Sequence, residues 1–443
     1  MEKLLIPCTE YFSLSNSGDL GKNIYNLVKE LKEKVEIALV LPLYKNIKEK
    51  NLPIKEIYVT TINDLLVRFY SYKEDNLTIY FIYEDYFFRN RELIYDHDNN
   101  LRFTFFSICT LELIKILTID YKIMINDWHL CLLPFLLKQQ NINKHLILNI
   151  YSLEHQGIAE VELLKFARIS YKYFYSGELE FYGKINFLKI GLDFADTIII
   201  KSKDVFEEIA LKNSSVSYLE GILLKNIHKV KYIAKSISKI TGLDENSFSE
   251  NYKIEAKLKL QNDLNFQNHT EIPMIVIPAI EMSKYEMILL NSIVQYILVM
   301  EIQIVILGYD LSDFEKNIKK YSFTSNCMVV SLEASEENIN KVLSASDMIL
   351  DISFNFNNKA MLKKALKHGV LPILFRESKE LETENIHFKI FDFTKDNLIN
   401  TLKYAVNKYY YLEKWLERIK KAIKLDFSFE KEANEYLETI NAI

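Results

Sequence analysis

The sequence predicts an α/β protein made of two doubly wound, Rossmann-like parallel sheets in succession, and three observations carry that expectation. Short apolar runs rich in β-branched residues alternate with longer stretches of helical period along the whole chain. The length, 443 residues, exceeds what a single core ordinarily organises. A polar stretch over 229–272, with the turn-rich run GLDENSFSENYK and no strand pattern, separates two such alternating series.

The first series places strands at 3–8 (KLLIPC), 35–44, 77–83, 122–126, 145–151 and 196–201, with helices between them, for example 18–33, 101–118 and 186–195. The second places strands at 273–279, 302–308, 327–332, 347–353, 370–375 and 388–393. The expected division is 1–245 for an N-terminal domain, 246–408 for a C-terminal domain and 409–443 for closing helices. Ligands of doubly wound sheets bind beyond the carboxyl ends of the strands, so chemistry is to be sought there.

Composition narrows the function classes. With 55 Lys+Arg against 60 Asp+Glu, the net charge of −5 leaves no basic surface that recommends nucleic acid as a partner. No window approaches the roughly 20 apolar residues of a membrane helix, and the start, MEKLLIPCTEYFSL, lacks the basic and apolar regions of a leader, so a cytoplasmic protein is expected. Cys8, Cys109, Cys131 and Cys327 occur singly and the eight histidines are scattered, which suggests neither a disulfide framework nor a metal site. Glycine occurs 10 times, about 2% against an average near 7%. Loops that bring backbone N–H groups up to a diphosphate normally need glycine.

The strand ends carry a family resemblance. INDWHLCLLPFLLK (125–138) resembles the Asn-Asp-Trp-His segment of bacterial glycogen synthases and plant starch synthases, and 179–209 and 426–437 are similar to that family's later segments. LPLY (41–44), RFTFFSICTLELI (102–114), KLKLQNDL (257–264) and ALKHGVLPI (365–373) fall in the same order, so the resemblance spans nearly the whole chain. It implies a GT-B fold of two facing domains, with a C-terminal helix packing back on the N-terminal one. It also implies metal-independent and cofactor-free transfer of glucose from ADP-glucose to the 4-hydroxyl of an α-1,4-glucan, with retention. Such transfer needs cations and backbone donors on the leaving diphosphate and polar groups around the sugar.

Set against that family's motifs, most of those groups are replaced. The Lys-x-Gly-Gly-Leu loop reads Asn16-Ser17-Gly18-Asp19-Leu20, so Asn16 stands for the lysine and Asp19 puts a negative charge where phosphate should sit. The alternative is an Asx-rich turn capping a helix. Asn126-Asp127-Trp128-His129 is intact, which leaves Asp127 and His129 as cleft residues, or Asp127 as a helix cap with Trp128 in the core. The histidine that the family holds over the glucose aligns with Tyr151, with His155 four residues on. The Ser-Arg-Leu segment becomes Pro278-Ala279-Ile280, so Ala279 replaces the arginine, while Lys284 keeps the lysine or is an ordinary helix-start residue. Phe356 replaces the sugar-contacting glutamate, Lys359 a glycine and Met361 a threonine; the Thr-Gly-Gly-Leu loop becomes Glu377-Ser378-Lys379-Glu380.

Three readings follow. One is a glycogen-synthase-like pseudoenzyme that binds α-glucan or maltooligosaccharide, not ADP-glucose, or pairs with an active synthase. Another is an active, atypical glycosyltransferase whose diphosphate cations are drawn from Lys284, Lys359, Arg376 and Lys379. The third is a decaying product that only folds. Surface tyrosines and phenylalanines offer sugar-stacking faces, although most of the 28 Tyr and 27 Phe are expected in the core, as is the helical run Tyr409-Tyr410-Tyr411.

Overall fold

The computed structural model describes residues 2–15, 18–91, 93–201, 218–234, 236, 250–279, 282–297, 299–308, 316, 328–353, 359–375 and 385–442. The chain forms two compact units, Met1–Ser236 with Phe429–Ile443, and Ile237–Ser428. The boundary expected at 245 falls among residues outside those described. The closing segment divides: the helix Leu412–Lys424 belongs to the second unit and the helix Phe429–Asn441 to the first.

The first unit is organised by a nine-stranded sheet and a small three-stranded one. The strands, in chain order, are β1 (Lys3–Pro7), β2 (Glu36–Pro42), β3 (Lys55–Ile62), β4 (Leu65–Glu74), β5 (Leu77–Tyr83), β6 (Lys122–Asn126), β7 (Leu146–Ile150), β8 (Ile158–Ala159), β9 (Glu180–Phe181), β10 (Lys184–Asn186), β11 (Thr197–Ile200) and β12 (Val230–Tyr232). The large sheet runs β12-β11-β7-β6-β1-β2-β5-β4-β3, and β8-β10-β9 is separate. From β12 to β5 all pairs are parallel, and the central strands are apolar on both faces because helices cover both.

Two features depart from expectation. The hairpin β3–β4 adds an antiparallel edge, its turn made by Asn63 and Asp64, both in left-handed backbone (φ 50° and 65°). Strand β12, within the stretch expected to hold no strand, pairs in parallel with β11 and extends the first unit beyond residue 229. The helix Asp19–Leu31 buries Gly21, Ile24, Leu27, Val28 and Leu31, a stripe at three- and four-residue spacing, and packs against the helix Phe429–Asn441.

The second unit is a six-stranded parallel sheet of β13 (Met274–Pro278), β14 (Gln303–Leu307), β15 (Met328–Leu332), β16 (Met348–Asp351), β17 (Leu371–Leu374) and β18 (Phe388–Lys389), in the order β15-β14-β13-β16-β17-β18. The order reverses beside β13, the first strand, as in a doubly wound sheet. All twelve strands expected from the sequence form. The helix Lys395–Tyr409 ends at Tyr409, so Tyr410 and Tyr411 sit in the connection and are exposed rather than packed.

Candidate functional site

In the first unit, the loops after β1, β6 and β7 converge. Asp127, immediately after β6, has φ 50° and ψ −160°, a conformation that side-chain-bearing residues avoid and that persists only when the surroundings impose it. Its N–H donates to Asn149 O at 2.8 Å. Its Oδ1 accepts the N–H of Tyr151 at 2.7 Å and that of Ser152 at 3.3 Å. The carboxylate is therefore tied to the loop after β7; it does not cap the short helix Trp128–Leu130, for which the side chain makes no capping bond.

Trp128 and His129 are buried, as a core reading of Trp128 expects. Their rings stack with centroids 4.6 Å apart, and Phe103 and Tyr95 close around the imidazole at 5.0 and 5.5 Å. Burial pulls the pKa of His129 down to about 4, against the pull of the Asn126 backbone carbonyl; the nearby His155 adds to the lowering. The imidazole is thus neutral at pH 7, and among the described residues its Nδ1 has no hydrogen-bond partner. His155 itself is exposed on the same loop.

Gly157 explains how that loop approaches. Its φ of +64° suits glycine, and a Cβ there would lie 2.2 Å from Trp128 Cε3. The indole therefore fixes the path of residues 151–157, and with it the two N–H groups that hold Asp127.

The loop after β1 joins the same cluster through a residue that sequence reading missed. Glu10 is buried; its Oε2 accepts the N–H of Gly18 at 2.7 Å, and its Oε1 accepts the hydroxyl of Tyr95 at 2.9 Å. Gly18 is the cap residue of the helix Asp19–Leu31, with no side-chain cap. The Gly18 amide thus meets a carboxylate of the chain itself, and Asp19 begins the helix fully in solvent. No local signal links Glu10, Tyr95 and His129: Glu10 and Tyr95 are 85 residues apart, and Tyr95 and His129 are 34 apart.

Tyr151 follows β7 and turns its ring toward Lys201. Its hydroxyl is buried, and burial pushes its phenol far above the usual range. The Lys201 ammonium lies 5.3 Å from its ring centroid and 4.2 Å from that of Tyr436. Lys201 is in turn ion-paired with Glu432 inside the unit.

In the second unit the described residues at the carboxyl ends of the strands include Ala279, Lys284, Glu286 and Asp351. Ala279 is buried after β13, its N–H bound to Leu307 O at 2.7 Å. Lys284 is exposed at the first position of the helix Lys284–Ser292. That helix start is closed by a capping box, Ser283 Oγ accepting from Glu286 N at 3.3 Å while the Glu286 carboxylate takes Ser283 N. Asp351, ending β16, is half-buried and raised in pKa by desolvation, with Ser353 donating from its N–H and its hydroxyl at 3.0 and 2.6 Å. Lys359 opens the helix Lys359–Lys367. Asn16, Phe356, Arg376 and the loop 377–380 lie outside the described residues, as does Cys327. Among the described residues no group of three His, Cys, Asp or Glu is placed to hold a metal ion, and no helix is long and apolar enough to cross a membrane.

The structure thus unites Gly18, Asp127, His129 and Tyr151 with Glu10, Tyr95 and Trp128 in one unit, and places Ala279, Lys284 and Lys359 at the strand ends of the other. A pinned carboxylate beside a neutral imidazole, walled by aromatic rings, can hydrogen-bond the hydroxyls of a neutral sugar.

Two Rossmann-like units with this chain order define a GT-B glycosyltransferase fold, and solved structures agree. The catalytic domain of starch synthase IV from Arabidopsis thaliana, solved bound to ADP and acarbose, superposes with a TM-score of 0.71 at 16% identity, over 100% of this chain and 99% of that one. Sucrose-phosphate synthase from Thermosynechococcus elongatus follows at 0.53 and 12%, with the same coverage. Residues 3–225 match the starch synthase catalytic domain model, and the chain belongs to that family. It is 29% identical over 481 aligned residues to a glycogen synthase of Clostridioides difficile strain 630, and 28% over 485 to one of Caldicellulosiruptor bescii. Each alignment covers 100% of this chain and 99% of the relative.

Proposed function

We propose that this member of the glycogen synthase family works in α-glucan metabolism as a glucan-binding or regulatory protein with little or no glucosyl transfer from ADP-glucose. The observation that carries the reading is Tyr151. At the position where the family resemblance expects an imidazole over the transferring glucose, the phenol hydroxyl is buried beside Lys201 and Tyr436. Ala279, at the expected arginine, supplies no cation, and Asp19 brings a negative charge to the expected phosphate loop.

Removing one preorganised donor from a transition state costs about 2.7–4 kcal/mol. Two such losses, taken as independent, reduce turnover about ten-thousandfold at about 1.4 kcal/mol per tenfold. By contrast Asp127 and His129, both held in place, suit sugar hydroxyls rather than a diphosphate. Glucan is the ligand this leaves, and an active synthase is the protein partner in keeping with a regulatory role.

Isothermal titration with ADP, ADP-glucose and maltoheptaose, together with a labelled-glucose transfer assay, tests this. Binding of maltoheptaose without nucleotide binding or transfer is the expected outcome. Micromolar ADP affinity with measurable transfer would overturn the reading in favour of an atypical glycosyltransferase, for which Lys284, exposed at a helix start, is the first cation to replace.

A further inference from the structure

Asp127 occupies a backbone conformation that needs outside support, and part of that support comes from the last helix of the chain. Tyr436, fully buried on the helix Phe429–Asn441, donates its hydroxyl to Asn149 Oδ1 at 2.7 Å. Asn149 Nδ2 donates to Asn126 Oδ1 at 2.9 Å. These two asparagines are register partners at the ends of β6 and β7, and Asn149 O receives the Asp127 N–H. One turn earlier on the helix, Glu432 pairs with Lys201 and accepts the N–H of Ser236 at 2.8 Å. Lys201 lies against the rings of Tyr436 and Tyr151, and the Tyr151 N–H donates to Asp127 Oδ1.

Two routes therefore run from the helix to Asp127, one through Asn149 to its backbone and one through Tyr151 to its carboxylate. Both asparagines are buried; among the described residues Asn149 has both amide ends bonded, whereas Asn126 Nδ2 has no partner, so the fixed arrangement is that of Asn149. With the Tyr436 hydroxyl on Oδ1 and Nδ2 donating to Asn126, both ends of the Asn149 amide are engaged and its position is fixed.

We propose that Tyr436 is a positioning residue for Asp127: by fixing Asn149 it sets the orientation of the carboxylate, so that ligand competence at the β6 and β7 ends depends on the docking of the helix Phe429–Asn441. The ligand arm of the test rests on the glucan reading above; the spectroscopic arm does not.

Tyr436→Phe deletes one oxygen and keeps the ring. In amide proton–nitrogen spectra of the unliganded full chain, the expected result is displaced resonances at Asp127, Tyr151 and Ser152. Tyr409→Phe, in the other unit, should leave them unmoved. Displacements confined to Asn149, Tyr151 and the other neighbours of residue 436, with Asp127 and Ser152 unmoved, would overturn the proposal. In titrations with maltoheptaose, Tyr436→Phe should weaken binding about five- to tenfold. In an Asp127→Asn background it should weaken binding no further, because the effect passes through Asp127. Losses that simply add would count against it. A wild-type chain that ignores maltoheptaose removes the glucan reading and leaves the spectra to decide. Should Tyr436→Phe fail to fold, Glu432→Gln tests the second route: displacement at Tyr151 and Asp127 is expected, and unmoved resonances there overturn it.

Discussion

Among the described residues, the two units differ in where their largest cluster of buried polar groups lies. In the first, Asn126, Asp127, His129, Asn149 and Glu10 gather at the carboxyl ends of the strands, where doubly wound sheets receive ligands. In the second, the denser polar set lies at the amino ends. Lys257 bonds Asp347 Oδ2 at 2.8 Å, and that same oxygen takes Met274 N. Gln261 bonds Gln303 at 2.8 Å, and Lys253 reaches the carbonyls of Leu343 and Ser346. These contacts tie the helix Glu250–Asp263 to the sheet. Of the described carboxyl-end carboxylates, Glu286 is buried in its capping box and Asp351 is half-buried, its Oδ1 accepting from Ser353. Among the described residues, the first unit gathers buried polar groups at its carboxyl ends, whereas the second has a buried charged set that holds a helix to the amino ends of its sheet.

The most damaging way to test that division is Lys257→Met. Removing one member of a buried pair strands the other and costs about 3–5 kcal/mol. Urea unfolding followed by limited proteolysis should show the second unit opening early while the first stays protected. A loss below about 1 kcal/mol would mean that the amino-end set is not a staple.

Acid titration comes next. His129 and His368 are both pulled to about 4 by burial. Each is protonated in the unfolded chain below about 6.5, so the unfolded state binds more protons between pH 6.5 and 4. Stability is therefore full above about pH 6.5 and falls as pH drops towards 4, by up to about 3 kcal/mol per histidine at 1.36 kcal/mol per unit. His129→Gln should flatten this limb for the first unit and His368→Gln for the second, as read by unfolding midpoints between pH 7.5 and 4.5. If either variant leaves the slope of its own unit unchanged, its histidine is not the titrating group.

Gly157→Ala has a smaller effect, confined to the ligand end. The added methyl meets the Trp128 ring at 2.2 Å, an overpacking worth about 1–3 kcal/mol. Maltoheptaose affinity should fall more than stability does, because the amides that hold Asp127 lie on the displaced loop. Equal affinity in a destabilised variant would detach the loop from the site.

How much of this was legible in the sequence follows the same division. The parallel strands announce themselves because both faces are buried, which leaves unbroken apolar runs such as IALVL in β2. The hairpin β3–β4 did not, since an edge with exposed faces mixes Lys, Glu, Thr and Arg among its apolar residues and gives no such run. Its Asn63-Asp64 turn was the available signal. At the site, Asp127 and His129 were readable because they are adjacent to a strand end. Glu10 with Tyr95, and Lys201 with Glu432, were not, because each pair is joined only by the tertiary fold. The cap expected of Asp127 failed for a related reason: a tertiary partner, the loop after β7, took the carboxylate first.

The smallest expected effect bears on the start of the helix Asp19–Leu31. Asp19 opens the helix Asp19–Leu31 and is 89% exposed, 4.0 Å from Lys22. A negative charge in a first turn stabilises the helix dipole by about 0.3–1 kcal/mol. Asp19→Asn should therefore lower the unfolding midpoint slightly, and less so at high salt, because an exposed charge is screened. The same charge repels any diphosphate that approaches the Gly18 amide, so ADP affinity in the variant should rise while maltoheptaose affinity stays level. If both ligands respond alike, the charge acts on the unit as a whole. If ADP binding appears at micromolar strength from this one change, Asp19 is what keeps nucleotide out, and the replacements at Asn16 and Ala279 matter less than their number suggests.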